Sequence, residues 1–189
     1  MRVMIIPEDP VLDQYILKPV VEAIFSEVNR VATVQVLQNP RLRSVEQALD
    51  PTQLNNVINS YPQEDLFLLL VDRDCDRNRI NRVNARESEV ISRGKALIGC
   101  LVIEEVEIWA LAICQDELSA RWQEMRQECN PKEAYFHPLV KRLGLQTAVG
   151  RGRKHIMKSL SGRYSRMLQL CPEIAELRDR IRQKLENEV

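Results

Sequence analysis

Hydrophobic positions along this chain follow two periods. Unbroken apolar runs at Arg2–Ile6, Leu66–Val71 and Ala96–Ile103 are each bounded by polar or turn residues. Runs of that length and boundary predict strands buried on both faces. Val31–Leu37 instead alternates apolar and polar residues, which predicts a strand nearer an edge. Between the first and second of these, Leu12, Ile16, Leu17, Val20, Val21, Ile24, Phe25 and Val28 recur at helical spacing. They predict an amphipathic helix over about Val11–Asn29, which Pro19 kinks or begins. Residues 40–60 are polar, with Val45, Leu49, Leu54, Val57 and Ile58 at helical intervals, so one or two short helices are expected there. A further helix is expected to end near Gly94, and another to start at Glu104 directly after the third buried run.

From Asp116 onward no convincing strand pattern remains. Leu118, Trp122 and Met125 share one helical face. Pro131 is placed to open a helix, and Pro172 another whose stripe is Ile174, Leu177, Ile181 and Leu185. Strand–helix alternation followed by helices alone predicts an α/β fold with a mostly parallel sheet of about four strands flanked by helices, occupying residues 1–115. Residues 116–189 form a helical C-terminal part packed on it.

The central run ends in Val71-Asp72-Arg73-Asp74-Cys75-Asp76, and the later one in Glu104-Glu105-Val106-Glu107-Ile108-Trp109. Carboxylates this dense repel one another, and the common remedy is a hard cation with oxygen ligands, Mg²⁺ foremost. Helix capping and the helix dipole are the competing explanations for single acids in both clusters. Parallel strands place both clusters at one sheet edge, where open α/β sheets bind ligands. Of the three glutamates at most two can face one site, and Glu105 is the favoured one. Trp109, on an apolar helix, reads as core.

Charge is balanced at 27 acidic and 27 basic residues, so attraction to nucleic acid must come from local patches. Arg73 and Arg77 beside the aspartates, and Arg153, Lys154 and Lys158 in the segment Gly150-Arg151-Gly152-Arg153-Lys154-His155, are the candidate phosphate contacts. The two glycines make the start of that segment mobile or tightly turned. Five cysteines, at 75, 100, 114, 129 and 171, are odd in number and lack a C-x-x-C pair. That argues against a zinc knuckle or a disulfide framework and suits a reducing compartment. Cys75, between two aspartates, should be a poor nucleophile. The two histidines are too few and too far apart for a zinc site or a triad. Neither phosphate-binding glycine motif is present. The first ten residues turn acidic too soon for a signal peptide, and no apolar run approaches membrane-spanning length. A cytoplasmic protein is expected.

An apolar strand ending in glutamate (Glu8), a helix, and a later apolar strand ending in Asp-x-Asp (Asp72, Asp74) resemble the Toprim pattern of topoisomerases, primases and OLD-type nucleases. More narrowly, Glu8, Val71–Asp76, Glu105-Val-Glu107-Ile-Trp109-Ala-Leu-Ala, Asn130-Pro131-Lys132-Glu133-Ala134 and a late basic segment before Cys171-Pro172 resemble the Toprim-like DUF4276 family. Toprim domains usually follow the glutamate with glycine, where this chain has Asp9-Pro10. The resemblance implies a Mg²⁺- or Mn²⁺-dependent nuclease acting on nucleic acid, in phage or plasmid defence beside a separate ATPase. Glu8, Asp72 and Asp74 would be catalytic, with the metal held by Glu8, Asp72, Asp74, Asp76 and Glu105. Two alternatives stay open. An apolar strand ending Asp-x-Asp also resembles haloacid-dehalogenase-type phosphohydrolases, with Asp72 attacking phosphate, although Asp76 stands where that group has Thr or Val. The other is a non-catalytic partner subunit that keeps the carboxylates as structure.

Overall fold

The computed structural model describes residues 1–187. Four strands, β1 (Arg2–Pro7), β2 (Thr33–Val36), β3 (Leu66–Asp72) and β4 (Leu97–Val102), form one all-parallel sheet in the order β2-β1-β3-β4. The unbroken apolar runs are β1, β3 and β4, and the alternating run is β2, at the sheet's edge. Two core layers follow from strand alternation. Leu66, Leu68 and Leu70 of β3 join Val3 and Ile5 of β1 in one layer, and Phe67, Leu69 and Val71 join Met4 and Ile6 in the other.

The first layer is covered by α1 (Gln14–Glu27). Pro19 lies inside α1 rather than at its start, where it removes one amide from the hydrogen-bond ladder. The second layer is covered by α2 (Val45–Ala48), α3 (Pro51–Ser60) and α4 (Arg79–Ser92). Asp50 caps α3, accepting from the Gln53 amide at 2.8 Å, with Pro51 at the first helical position.

After β4 the chain does not enter a helix at Glu104 as its pattern predicts. Glu104 adopts a left-handed φ of 58°, and α5 begins only at Glu107 and runs to Ile113. The remaining helices are α6 (Trp122–Gln127), α7 (His137–Arg142), α8 (Arg153–Ile156), α9 (Leu160–Leu170) and α10 (Pro172–Glu186). A π-helical stretch at Lys132–Phe136 leads into α7, so Pro131 does open a helical segment. Among the described residues none after 116 forms a strand. Met125, Phe136, Ile156, Met167, Ile174, Leu177 and Ile181 belong to the same apolar layer as α1 and α5, so the C-terminal helices close that face of the sheet. No helix among the described residues is long and apolar enough to cross a membrane.

One polar knot lies inside this packing. Glu173 accepts two hydrogen bonds from Arg126, at 2.7 and 2.9 Å, and one from the indole N–H of fully buried Trp109 at 3.0 Å. Removing one partner of a buried, bidentate pair leaves a charge without compensation. Arg126→Ala is therefore expected to lower unfolding free energy by about 3–5 kcal/mol in urea titrations. The double variant Arg126→Met/Glu173→Met should recover most of the loss.

The cysteines depart from the sequence expectation. Cys75 and Cys129 are joined in a disulfide with Cα atoms 5.5 Å apart, and Cys100, Cys114 and Cys171 are free and buried. Cys75 therefore carries no thiol. A separation of 54 residues is closed by tertiary packing, which residue spacing does not reveal.

Candidate metal centre

Adjacent parallel strands end side by side, and here that rule assembles a carboxylate cluster. Pro7, the last residue of β1, pairs with Leu70 of β3, so Glu8 leaves its strand beside Asp72. Asp72 follows Leu68 and Leu70 on the face covered by α1 and α5. The chain then turns through two left-handed residues, Asp74 (φ 44°) and Cys75 (φ 55°). This turn brings the Asp74 carboxylate back to the strand end. One oxygen from each of Glu8, Asp72 and Asp74 lies within 4.8 Å of the others.

The turn is held by Glu104, expected only as one of the acidic cluster, and by Arg79. Glu104, buried beneath it, accepts from the Cys75 amide at 2.6 Å and pairs with Arg73. Its carbonyl also receives the amides of Arg73 and Asp74, at 2.9 and 3.1 Å. Those four contacts explain why Glu104 leaves the helical region. Arg79, buried on α4, donates to the Asp72 carbonyl at 2.7 Å and to the Asp74 carboxylate at 2.6 Å. In the sequence Arg79 is one of several arginines after the aspartates, and only burial distinguishes it.

Other expected ligands are placed differently. Asp76 accepts from the Asn78 amide at 2.9 Å and lies 3.8 Å from Arg79, so it closes the turn. Glu105 is buried and held by Lys132, through the backbone amide at 2.8 Å and the ammonium at 3.2 Å. Neither joins the three gathered oxygens. Arg153, expected at a phosphate, is buried instead and pairs with Glu107 of α5, its guanidinium 4.9 Å from the Phe136 ring centre. The glycines on either side of Arg151 make the tight approach possible. Gly150 has φ +65°, and a Cβ on it would lie 2.4 Å from the Tyr15 ring. Arg73 is likewise committed to Glu104. Arg77, Lys154 and Lys158 are exposed. Lys154 and Lys158 share a hollow with Tyr15 and Lys18 of α1, while Arg77 follows the aspartate turn in the chain.

Electrostatics ties the cluster to two more acids. Burial raises the Asp72 carboxyl well above the usual aspartate range, and Glu8, Asp13, Glu107 and Asp74 push it in the same direction. Glu8 is raised by burial and then by Asp74, while its hydrogen bond to Asp72 and the charges of Arg79 and Lys132 oppose the shift. Asp13, buried just before α1, is pushed up to about 8 by burial and by Glu107, Asp9 and Glu8. Its side chain accepts from the Asp9 amide at 3.3 Å and caps nothing in α1. Lys132 is raised because Glu107 and Glu105 outweigh the effect of its burial.

Three acids with raised pKa values make a linkage prediction with a definite sign. Each binds its proton more tightly folded than unfolded, so the stability it contributes is complete below the unfolded pKa and is lost as pH rises through the folded value. The metal-free protein should therefore melt progressively lower as pH rises from about 4 through about 8, where Asp13 ionises. Added Mn²⁺ should raise the melting temperature far more at pH 8 than at pH 5, because protons and cation compete for the same oxygens. Differential scanning fluorimetry across that range measures both.

The donor set suits a hard divalent cation. All three ligands are carboxylate oxygens, two strand ends and a stapled turn fix them, and their mutual repulsion is the cost that such an ion relieves. Comparisons of the chain with protein-family models, with curated proteins and with solved structures find no match. Geometry alone therefore speaks to function.

Proposed function

We propose that this protein is a Mg²⁺- or Mn²⁺-dependent nuclease of Toprim type that cleaves phosphodiester bonds in nucleic acid. The observation that carries the proposal is the convergence of Glu8, Asp72 and Asp74 within 4.8 Å at the carboxyl ends of two central parallel strands. In this reading Glu8, Asp72 and Asp74 would hold the ion, with Arg79 fixing the Asp74 carboxylate and Glu104 fixing the turn that carries it. A divalent ion at such a site polarises a phosphoryl oxygen and brings the pKa of a bound water near neutrality. Glu8, half-buried and hydrogen-bonded to Asp72, would ligate through one oxygen and take the proton of the attacking water on the other. The exposed cations Arg77, Lys154 and Lys158 are the candidate grips for the phosphate backbone. Asp13 and Glu107 sit behind Asp72, and buried Arg153 neutralises Glu107. The protein acts within a phage or plasmid defence system beside a separate ATPase, as the Toprim-like resemblance implies.

Purified protein incubated with supercoiled plasmid, single-stranded DNA and RNA, with Mg²⁺, Mn²⁺ or EDTA, tests the proposal. Metal-dependent nicking or cleavage that EDTA abolishes and Glu8→Gln removes is expected. Covalent trapping of a phosphoryl mimic on Asp72, without action on nucleic acid, would instead identify a phosphohydrolase. Metal binding without either outcome would leave a non-catalytic subunit.

A further inference from the structure

Strand β4 is the open edge of the sheet next to the C-terminal helices, pairing with β3 on one side only. Register decides which of its backbone groups face outward. The Phe67 amide bonds to the Ala96 carbonyl and the Arg73 amide to the Val102 carbonyl. Even-numbered residues thus serve β3, and Leu97, Gly99 and Leu101 aim amide and carbonyl away from the sheet. Helix α4 packs on one face of β4 through Val83 and Val90, and α10 on the other through Leu177 and Ile181. The strand edge is therefore the recessed floor of a groove between two helices.

Two cavities of about 420 and 370 Å³ lie along this floor, and Glu8, Asp72 and Asp74 line neither. Ile80, Leu101 and Leu177 line the first; Ile91 and Leu97 line the second. Arg180 and Glu87 meet between them, bridging α10 to α4 across the edge. Arg180 donates to the Gly99 carbonyl at 2.6 Å, and Glu87 accepts from the Gly99 amide at 2.8 Å. Together they supply the acceptor and donor that a neighbouring strand would. A Cβ on Gly99 would lie 2.4 Å from Val83 Cγ1, so glycine lets α4 approach this close.

We propose that the β4 edge is a docking groove for an extended, acidic peptide segment of another protein, which adds to the sheet as a fifth strand and displaces the Glu87–Arg180 bridge. Depth selects the occupant: a second copy's β4 is recessed between the same two helices and cannot reach this floor, whereas an extended segment can. Charge selects its side chains. With Arg73 held by Glu104 and Arg180 by Glu87, Arg77 and Lys95 face Glu173 and Glu176 along the two cavities. One of those carboxylates, Glu173, is already bound to Arg126. The apolar walls and outward Leu97 and Leu101 backbone groups suit a polypeptide, whose main chain offers both donors and acceptors, better than a nucleic acid. The inference does not rest on the metal centre.

Panning a random library of peptides about eight residues long on the full chain, with affinities then measured by fluorescence anisotropy, tests this. Enriched peptides should carry acidic residues at alternate positions. Asn84→Trp, an exposed substitution on α4 that fills the groove, should weaken them about tenfold or more. N-methylation of alternate peptide nitrogens in one register should abolish binding, and in the other leave it unchanged. Failure to enrich any peptide overturns the proposal, as does binding indifferent to register. A single-stranded oligonucleotide that binds in a manner blocked by Asn84→Trp, with no peptide doing so, also overturns it.

Discussion

An Asp72→Asn variant is expected to melt several degrees higher than the parent in the absence of divalent ions, while losing metal-dependent cleavage by on the order of 10³-fold. Both effects have one cause. Asp72 is surrounded by Glu8, Asp13, Glu107 and Asp74 and is buried, so its negative charge opposes folding. Asparagine keeps the shape, removes the charge and donates a hydrogen bond to Glu8, where two carboxyl groups now share one. For a chain of this size each kcal/mol so recovered raises the melting temperature by about 2–4 °C. The same amide is a poorer ligand for a hard cation than the carboxylate it replaces. Thermal melts at pH 8 with and without Mn²⁺ separate the two effects. The variant should gain little from Mn²⁺ where the parent gains most. Equal melting temperatures in both proteins without metal would show that Asp72 carries no electrostatic burden.

Reducing the Cys75–Cys129 disulfide should cost about 4 kcal/mol of unfolding free energy, the loop-entropy value for a separation of 54 residues. Both cysteines are exposed, so a small-molecule reductant reaches them. The consequences for the candidate site are uneven. Asp74 keeps its hold on Arg79, and Glu104 keeps the Cys75 amide, so the carboxylate turn survives reduction. The segment from Cys129 to Lys132 loses its covalent link to the turn and keeps Lys132's bonds to Glu105. Urea unfolding with and without reductant should show the full loss of stability, while Mn²⁺ affinity falls less than about tenfold. Cys129→Ser should reproduce the reduced state. A reduced protein as stable as the oxidised one would show that the bridge adds nothing to the fold.

What could be read from the chain and what could not divide along a physical line. Uninterrupted apolar runs at Arg2–Ile6, Leu66–Val71 and Ala96–Ile103 can only be strands covered on both faces, so the parallel sheet and its carboxyl edge were legible. Glu8, Asp72 and Asp74 were legible with it, since they stand at or within two residues of the ends of β1 and β3. Tertiary partners were not. The burial of Arg79 and Arg153 depends on which helix covers which face, and a basic residue in sequence looks the same whether it staples a turn or meets solvent. Asp13 drew no attention because nothing in its neighbourhood of sequence marks it as buried beside the cluster. Glu104 looked like the start of a helix because its left-handed backbone is dictated by Arg73, Cys75 and Asp74, some thirty positions earlier. Cys75 and Cys129 carried no spacing signal at all.

The central claim is that three carboxylates from two strand ends share one divalent cation. Crystals of the protein soaked in Mn²⁺ and measured at the manganese absorption edge test it most directly. An anomalous peak within coordination distance of Glu8, Asp72 and Asp74, about 2.1–2.3 Å from an oxygen of each, is the predicted result. No peak at these residues in a soak at pH 8, or a peak bound by other side chains while these three remain apart, would contradict it.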